Sequence, residues 1–306
     1  MLLRRSLYRS LALALGLTLL PLRAWGPTGH VMVTRAALAA LPADMPAFLR
    51  AGALTVTYIS NEPDRWRDAH LTALDAFNSP DHFINLERLA FLPALPPTRY
   101  AFLDALHREA DRLRAAGQEK PAAELTPDGV GMQPYAMAES YGRLVIALRG
   151  YRIALAGGSP TAASEQNVLY QMGILSHYVG DGAQPLHTSV NYDGWTEPNP
   201  EHFTARHGFH WAFESRFVDA AIPPDALTGQ LKPPHILSAP FSDYVAYLRA
   251  SHAELLPLYR LEKRGAFRGH GTPAGRAFVV ARLAAGAQML ADLYLTAWQA
   301  SSPPEL

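Results

Sequence analysis

The densest chemistry in the chain lies in HYVGDGAQPLH, residues 177–187. His177 and Asp181 stand four apart, so on a helix they share one face and can grip a single ion. His187 follows after Gly182 and Pro185, residue types that end a helix and turn the chain. A second stretch, HGFHWAFE at 207–214, repeats the four-residue grip with His210 and Glu214. One such pair is explained equally well by a solvated helix face or an ion pair. Two pairs on otherwise apolar segments, with a His between them, read as a metal-binding constellation. Upstream, PDRWRD supplies Asp64 and Asp68, and PDHFINLE supplies His82. Alone, Asp64 reads also as a helix N-cap, and His82 as a buried ring bonded to a carbonyl. Near the start, AWGPTGHVMV (24–33) sets Trp25, Gly26, Gly29 and His30 within six residues. The chain has twelve His and no Cys. Any metal site must therefore be built from His, Asp, Glu or backbone groups.

The elements that must position these residues read as helices. Apolar residues three and four apart recur over 31–41, 100–116, 135–156, 164–179, 209–220, 244–256 and 274–300. Pro- and Gly-rich surface connections occupy 92–98, 120–134, 192–200, 222–240 and 264–273. Only 54–59 tempts as a strand, and it reads equally as a helix end. The expectation is an all-α protein, one mostly helical domain over residues 25–306.

Residues 1–24 are unlike the rest. Arg4, Arg5 and Arg9 precede an apolar run at 11–20, and Leu22-Arg23-Ala24 offers a small-residue cleavage point. That layout predicts a signal peptide, its apolar run too short to span a bilayer. No other run of membrane length is read in the chain. An exported protein without stable membrane insertion is expected, periplasmic or extracellular. The formal net charge of the whole chain is zero, and the first 24 residues hold four Arg and no acid, which leaves −4 for residues 25–306. This argues against a broad basic face for duplex nucleic acid. A polyanion could still bind if metal ions supplied local positive charge.

At this point the residues carry a resemblance. Trp25, Gly26, Gly29 and His30 resemble the mature N-terminus of the single-strand-specific zinc nucleases of fungi and plants, the S-one/P-one family. The order that follows is similar too: an Asp, then HFI, then His-x3-Asp-x5-His with QPLH, then His-x3-acid. Bacterial zinc-dependent phospholipases C share this pattern. The similarity runs from Trp25 to Glu214, and the closing ARLAAGAQMLADLY resembles the family as well. The resemblance implies the all-α phospholipase C/nuclease fold and three zinc ions. Trp25, through its α-amino nitrogen and carbonyl oxygen, and His30 would hold one. Asp64, His82 and His177 would hold a second, with Asp181 bridging the pair. His187, His210 and Glu214 would hold the third. Asp64 would also be catalytic, orienting the attacking water and taking its proton. Three divalent ions would move the charge of residues 25–306 from −4 to about +2, all of the gain inside one cleft.

The spacing from Trp25 to His30 and the long interval from His187 to His210 resemble the nucleases. Glu214 stands where the nucleases usually have Asp, and GFH followed by Glu resembles the phospholipases. The expected function is a zinc-dependent phosphodiesterase, a nuclease on single-stranded DNA or RNA with 3′-nucleotidase activity. The alternatives are a phospholipase C acting on phospholipid head groups and a non-catalytic zinc-binding protein. Tyr192 and Trp195, in the loop between two ligand segments, are the preferred stacking platforms for a base, ahead of Phe83 and Tyr135. Arg65 or Arg67 would touch phosphate. Two substitutions among the ligands stay open, Asp68 for Asp64 and His207 for His210. No protein partner is implied.

Overall fold

The computed structural model describes residues 25–302. The signal-peptide reading of residues 1–24 lies outside the described residues. Among these there is no β-strand, and the fold is all-α. Its frame is four helices: Pro27–Ala40, Gln133–Ala156, Ala162–Gly182 and Pro273–Ala300. Pro27, in the first turn, lacks the N–H that would be unpaired there anyway. The closing helix begins with Thr272, whose hydroxyl accepts from the Gly275 amide at 3.2 Å and caps the free end.

The Ala162–Gly182 helix is the centre of the molecule. Every residue from Met172 to Gly182 is buried, as expected of a helix covered on all sides. It packs against the other three frame helices and against Ala53–Ile59. That last segment is the one with strand-like composition. Its β-branched residues are accommodated in a helix because Val56 and Thr57 are buried in the fold, and Thr57 Oγ1 donates to the Ala53 carbonyl at 2.8 Å. Packing overrides a weak local preference.

Three further departures from periodicity matter. The 209–220 stretch is not one regular helix. It opens with Phe209–Trp211, widens into a π-helical segment Ala212–Phe217 and closes with Val218–Ala221. The 244–256 stretch divides into Pro240–Ala253 and Leu255–Lys263. The 120–134 connection contains two short helices, Glu119–Ala123 and Pro127–Val130. By length and composition the Pro273–Ala300 helix, read from sequence as a periodic helix and not as a run of membrane length, is apolar enough to cross a membrane, with mean hydropathy 1.3 over its best window. Half of that window is buried inside the fold.

Candidate metal centre

Six segments bring the ligand-type side chains together. The first helix carries His30 in its second turn. The turn after Ala53–Ile59 leads into Glu62–Arg65, which carries Asp64. A 3-10 turn, Ser79–His82, ends on His82. The central helix presents His177 and Asp181 one turn apart at its buried end. The 3-10 turn Pro185–Thr188 holds His187, and the Phe209–Phe217 region holds His210 and Glu214.

Asp181 is the hub. Its Oδ1 lies 3.3 Å from His30 Nε2, while its Oδ2 lies 3.1 Å from His82 Nδ1 and 3.4 Å from His177 Nε2. His82 Nδ1 and His177 Nε2 are 3.0 Å apart, and Asp64 Oδ1 is 3.9 Å from His82 Nδ1. The His30 and His177 rings stack at 4.2 Å. In the neighbouring group, His187 Nε2 and His210 Nε2 are 3.0 Å apart, and Glu214 Oε2 lies 2.6 Å from the second. Three sets of potential ligand atoms result: His30, Asp64 and His177; His82, His177 and Asp181; His187, His210 and Glu214.

Backbone carbonyls orient the rings. His177 Nδ1–H donates to the Ser60 carbonyl at 2.8 Å, and His187 Nδ1–H donates to the His82 carbonyl at 2.6 Å. Each bond fixes the tautomer and leaves the Nε2 lone pair turned into the cluster, the arrangement a metal-binding imidazole needs. Close approach of the first helix depends on Gly180. A Cβ there would lie 2.9 Å from His30 Nδ1.

The electrostatics of the bare cluster suit a cation. Burial pushes all five imidazoles toward the neutral form, His177 down to about 3 and His210 to about 4. Mutual repulsion among the rings adds to this for His30 and His82. Burial also raises the carboxyls, Glu214 to about 7 and Asp181 well above its ordinary value, the latter helped by Asp64 and Glu214 nearby. Both nitrogens of His30, Nε2 of His82, Oδ1 of Asp181 and Oε1 of Glu214 are buried without a hydrogen-bond partner. Buried polar atoms are rarely left so. Neutral imidazoles and carboxyl groups are together the donor set of a divalent ion, and the residues present fit one.

Trp25 is fully buried with its indole 5.7 Å from the Phe213 ring, in the core rather than among the ligand atoms. The resemblance asks only for its backbone, which stands at the start of the helix that carries His30. Asp68 closes a turn by accepting from the His70 amide at 2.9 Å, and His207 is exposed beside Asp193. Neither joins the three groups; Asp64 and His210 do.

The cluster forms one wall of a cavity of about 310 Å³. His82, His187 and His210 line it together with Arg67, Arg88, Phe83 and Tyr192. Tyr192 is thus on the cavity lining, its ring 6.1 Å from that of His210. Trp195 is not on this lining: it packs against Phe203 and, edge-on, Tyr259, with ring separations of 4.9 and 5.2 Å. Arg65 turns outward, bonded to Glu62 at 2.5 Å and stacked over Tyr58 at 4.3 Å. Arg67, two residues on, faces the cavity instead. Tyr135 is buried in the core. Sequence reasoning missed Arg88 and Asn85. Asn85 donates to the Gly129 carbonyl at 2.8 Å and keeps its own buried Oδ1 without a partner on the cavity lining. Its place three residues after His82 was the one available signal, and Arg88 gave none.

Fold and site together define an all-α protein with three adjoining His/Asp/Glu groups, each able to hold a metal ion. No protein-family model matches the chain, and no curated protein matches it.

Proposed function

We propose that this protein is an exported zinc-dependent hydrolase of phosphate esters, a nuclease that cleaves single-stranded DNA or RNA and acts on 3′-nucleotides. The observation that carries the reading is the gathering of His30, Asp64, His82, His177, Asp181, His187, His210 and Glu214 beside an arginine-lined cavity. Nitrogen and oxygen donors with no thiolate suit zinc. By the resemblance, His30 and the Trp25 backbone would hold one ion and Asp64, His82 and His177 a second, with Asp181 between them; the geometry groups Asp64 with His30 and His177, and His82 with His177 and Asp181. His187, His210 and Glu214 would hold the third. When bound, zinc supplies Lewis acidity toward a phosphoryl oxygen and lowers the pKa of water to roughly 7.

The chain's own groups do the remaining work. Asp64 orients the attacking water and takes its proton. Arg67, with Nη1 at 3.7 Å from Asp64 Oδ1, holds the phosphoryl group beside that carboxylate. Phe83 and Tyr192 offer apolar faces to an unstacked base, which a single strand presents and a duplex does not. The carbonyls of Ser60 and His82 keep two rings from rotating as the site turns over.

A second reading, a phospholipase C, is favoured by one observation. Leu71, Leu74 and Phe77 are exposed at spacing three, just N-terminal to the His82 turn. A substrate panel separates the two: zinc-loaded protein with single-stranded oligonucleotide, 3′-AMP and phosphatidylcholine. Turnover of the first two is expected. Turnover of phosphatidylcholine alone selects the lipase, and a zinc-loaded protein inert on all three is a binding protein.

A further inference from the structure

In the third ligand group, two of the three side chains are supported from behind. His187 is bonded through Nδ1 to the His82 carbonyl, and Glu214 Oε2 accepts from Gln184 Nε2 at 3.3 Å. His210 lacks such support: its Nδ1 is buried without a hydrogen-bond partner, facing the Tyr192 carbonyl outside bonding geometry. Its place therefore depends on the backbone that carries it. That backbone starts a helix at Phe209, and the preceding Gly208, at φ +81, has no side chain to cap the free amides. A side chain from an earlier segment does so instead. Asp193 Oδ2 accepts from the Gly208 amide at 2.9 Å, and Oδ1 accepts from the His210 amide at 3.0 Å. A carboxylate there also meets the positive end of the helix dipole.

The loop that carries Asp193 is closed without this carboxylate. The Trp195 amide donates to the Thr204 carbonyl at 2.8 Å, and the Asn199 side chain exchanges two bonds with the Phe203 backbone at 2.8 and 2.7 Å. Gly194, at φ +98, lies so near the returning strand of chain that a Cβ would stand 2.7 Å from the Ala205 carbonyl carbon. The Tyr259 hydroxyl donates to the Asn191 carbonyl at 2.6 Å and anchors the entry to the loop. The ion-pair neighbour of Asp193 is His207, 3.5 Å away and 89% exposed, a pairing that contributes little. What the carboxylate spans is the join between Tyr192, on the cavity lining, and the helix of His210 and Glu214.

We propose that Asp193 is a positioning residue, whose two bonds to backbone amides set His210 in the third ligand group and tie that group to the Tyr192 wall of the cavity. The role rests on the three groups holding ions. A carboxylate accepts at both oxygens, so one side chain serves both amides; an asparagine keeps one acceptor and an alanine neither.

Zinc affinities are measured by competition with a chelating dye for wild type, D193A, D193N and N199A. In D193A one of the three ions should bind more weakly by about tenfold or more, and in cobalt-substituted protein the absorption of one ion should shift. D193N should bind that ion more tightly than D193A does. N199A, which breaks the loop's own closure and leaves the His210 amide bonded, should bind as wild type. Wild-type affinities in D193A overturn the proposal, as does D193N no tighter than D193A. An equal loss in N199A overturns it too, because Asp193 would then serve only the fold of its loop. Hydrogen exchange in the zinc-loaded wild type tests the same bonds even if D193A fails to fold: the Gly208 and His210 amides should exchange slowly, and either one exchanging as a free amide overturns the proposal. A wild type that binds no zinc overturns the metal reading and this role with it, whereas three tightly held ions in D193A overturn this role alone.

Discussion

At the residue scale, Asp181 divides its two oxygens between His30 on one side and the His82–His177 pair on the other, and His177 belongs to two of the three ligand groups. Asp64 stands at the edge where the cluster meets the cavity-lining Arg67. Asp64→Asn and Asp181→Asn should each lower hydrolysis by about 100-fold or more, with the far-ultraviolet dichroism of the helices retained; full activity would remove that residue from the mechanism. The buried imidazoles also set a pH dependence. His177 and His210 take protons at about 3 and about 4 in the fold, against an ordinary 6.5 in the unfolded chain. Their stability contribution is whole above pH 6.5 and is lost as pH falls toward those values. Glu214, raised to about 7, works the other way, losing stability as pH climbs from 4.5 through 7. Asp181 and Asp81, also raised by burial, act as Glu214 does, and the five lowered His outnumber these three carboxyls. The melting temperature of the metal-free protein should therefore drop between pH 6.5 and 4, measured by calorimetry across that range.

At the scale of elements, the cluster depends on how closely two helices approach. Gly180→Ala puts a methyl 2.9 Å from His30 Nδ1, with little room to yield in a fully buried ring. Such overpacking costs about 1–3 kcal/mol, and here it should also cost metal. Denaturant unfolding and zinc content by mass spectrometry check both; wild-type values in each would mean the helices are not held at this point. The other element is the start of the first helix. If the Trp25 amino group is a ligand, a protein with extra residues before it should hold one zinc fewer and lose activity, and a full complement of zinc in such a protein would remove Trp25 from the site. The π-helical Ala212–Phe217 segment is a third case, because widened turns recur at functional sites. Nothing in the 209–220 spacing announces it. A side-chain period shows which residues share a face, not which carbonyl each amide chooses.

For the whole molecule, the centre draws on side chains from residue 30 to residue 214, so metal binding and folding are coupled. Chelation should abolish hydrolysis and lower the melting temperature by on the order of 10 °C or more, if three ions each bind well below their working concentration. An unchanged melting temperature after EDTA would place the ions outside the fold's support. The closing Pro273–Ala300 helix belongs to this scale too. Composition alone would allow it in a membrane, and its packing against the first, Gln133–Ala156 and Ala162–Gly182 helices buries half of its apolar window instead.

What the sequence by itself determined is local. Helices followed from apolar spacing, the His177–Asp181 and His210–Glu214 pairs from the helical turn, and the oxygen-and-nitrogen donor set from the absence of Cys. Each of these depends on residues a few positions apart, which backbone geometry relates directly. The tertiary structure alone decided the rest: that Asp64 and not Asp68 reaches His82, that Arg67 faces the cavity while Arg65 pairs with Glu62, and that Trp195 packs on Tyr259. It also decided that 54–59 is a helix and that Asp193, from a separate segment, caps the helix that carries His210. Those outcomes depend on how buried helices meet, and contacts between residues far apart in the chain settle that meeting.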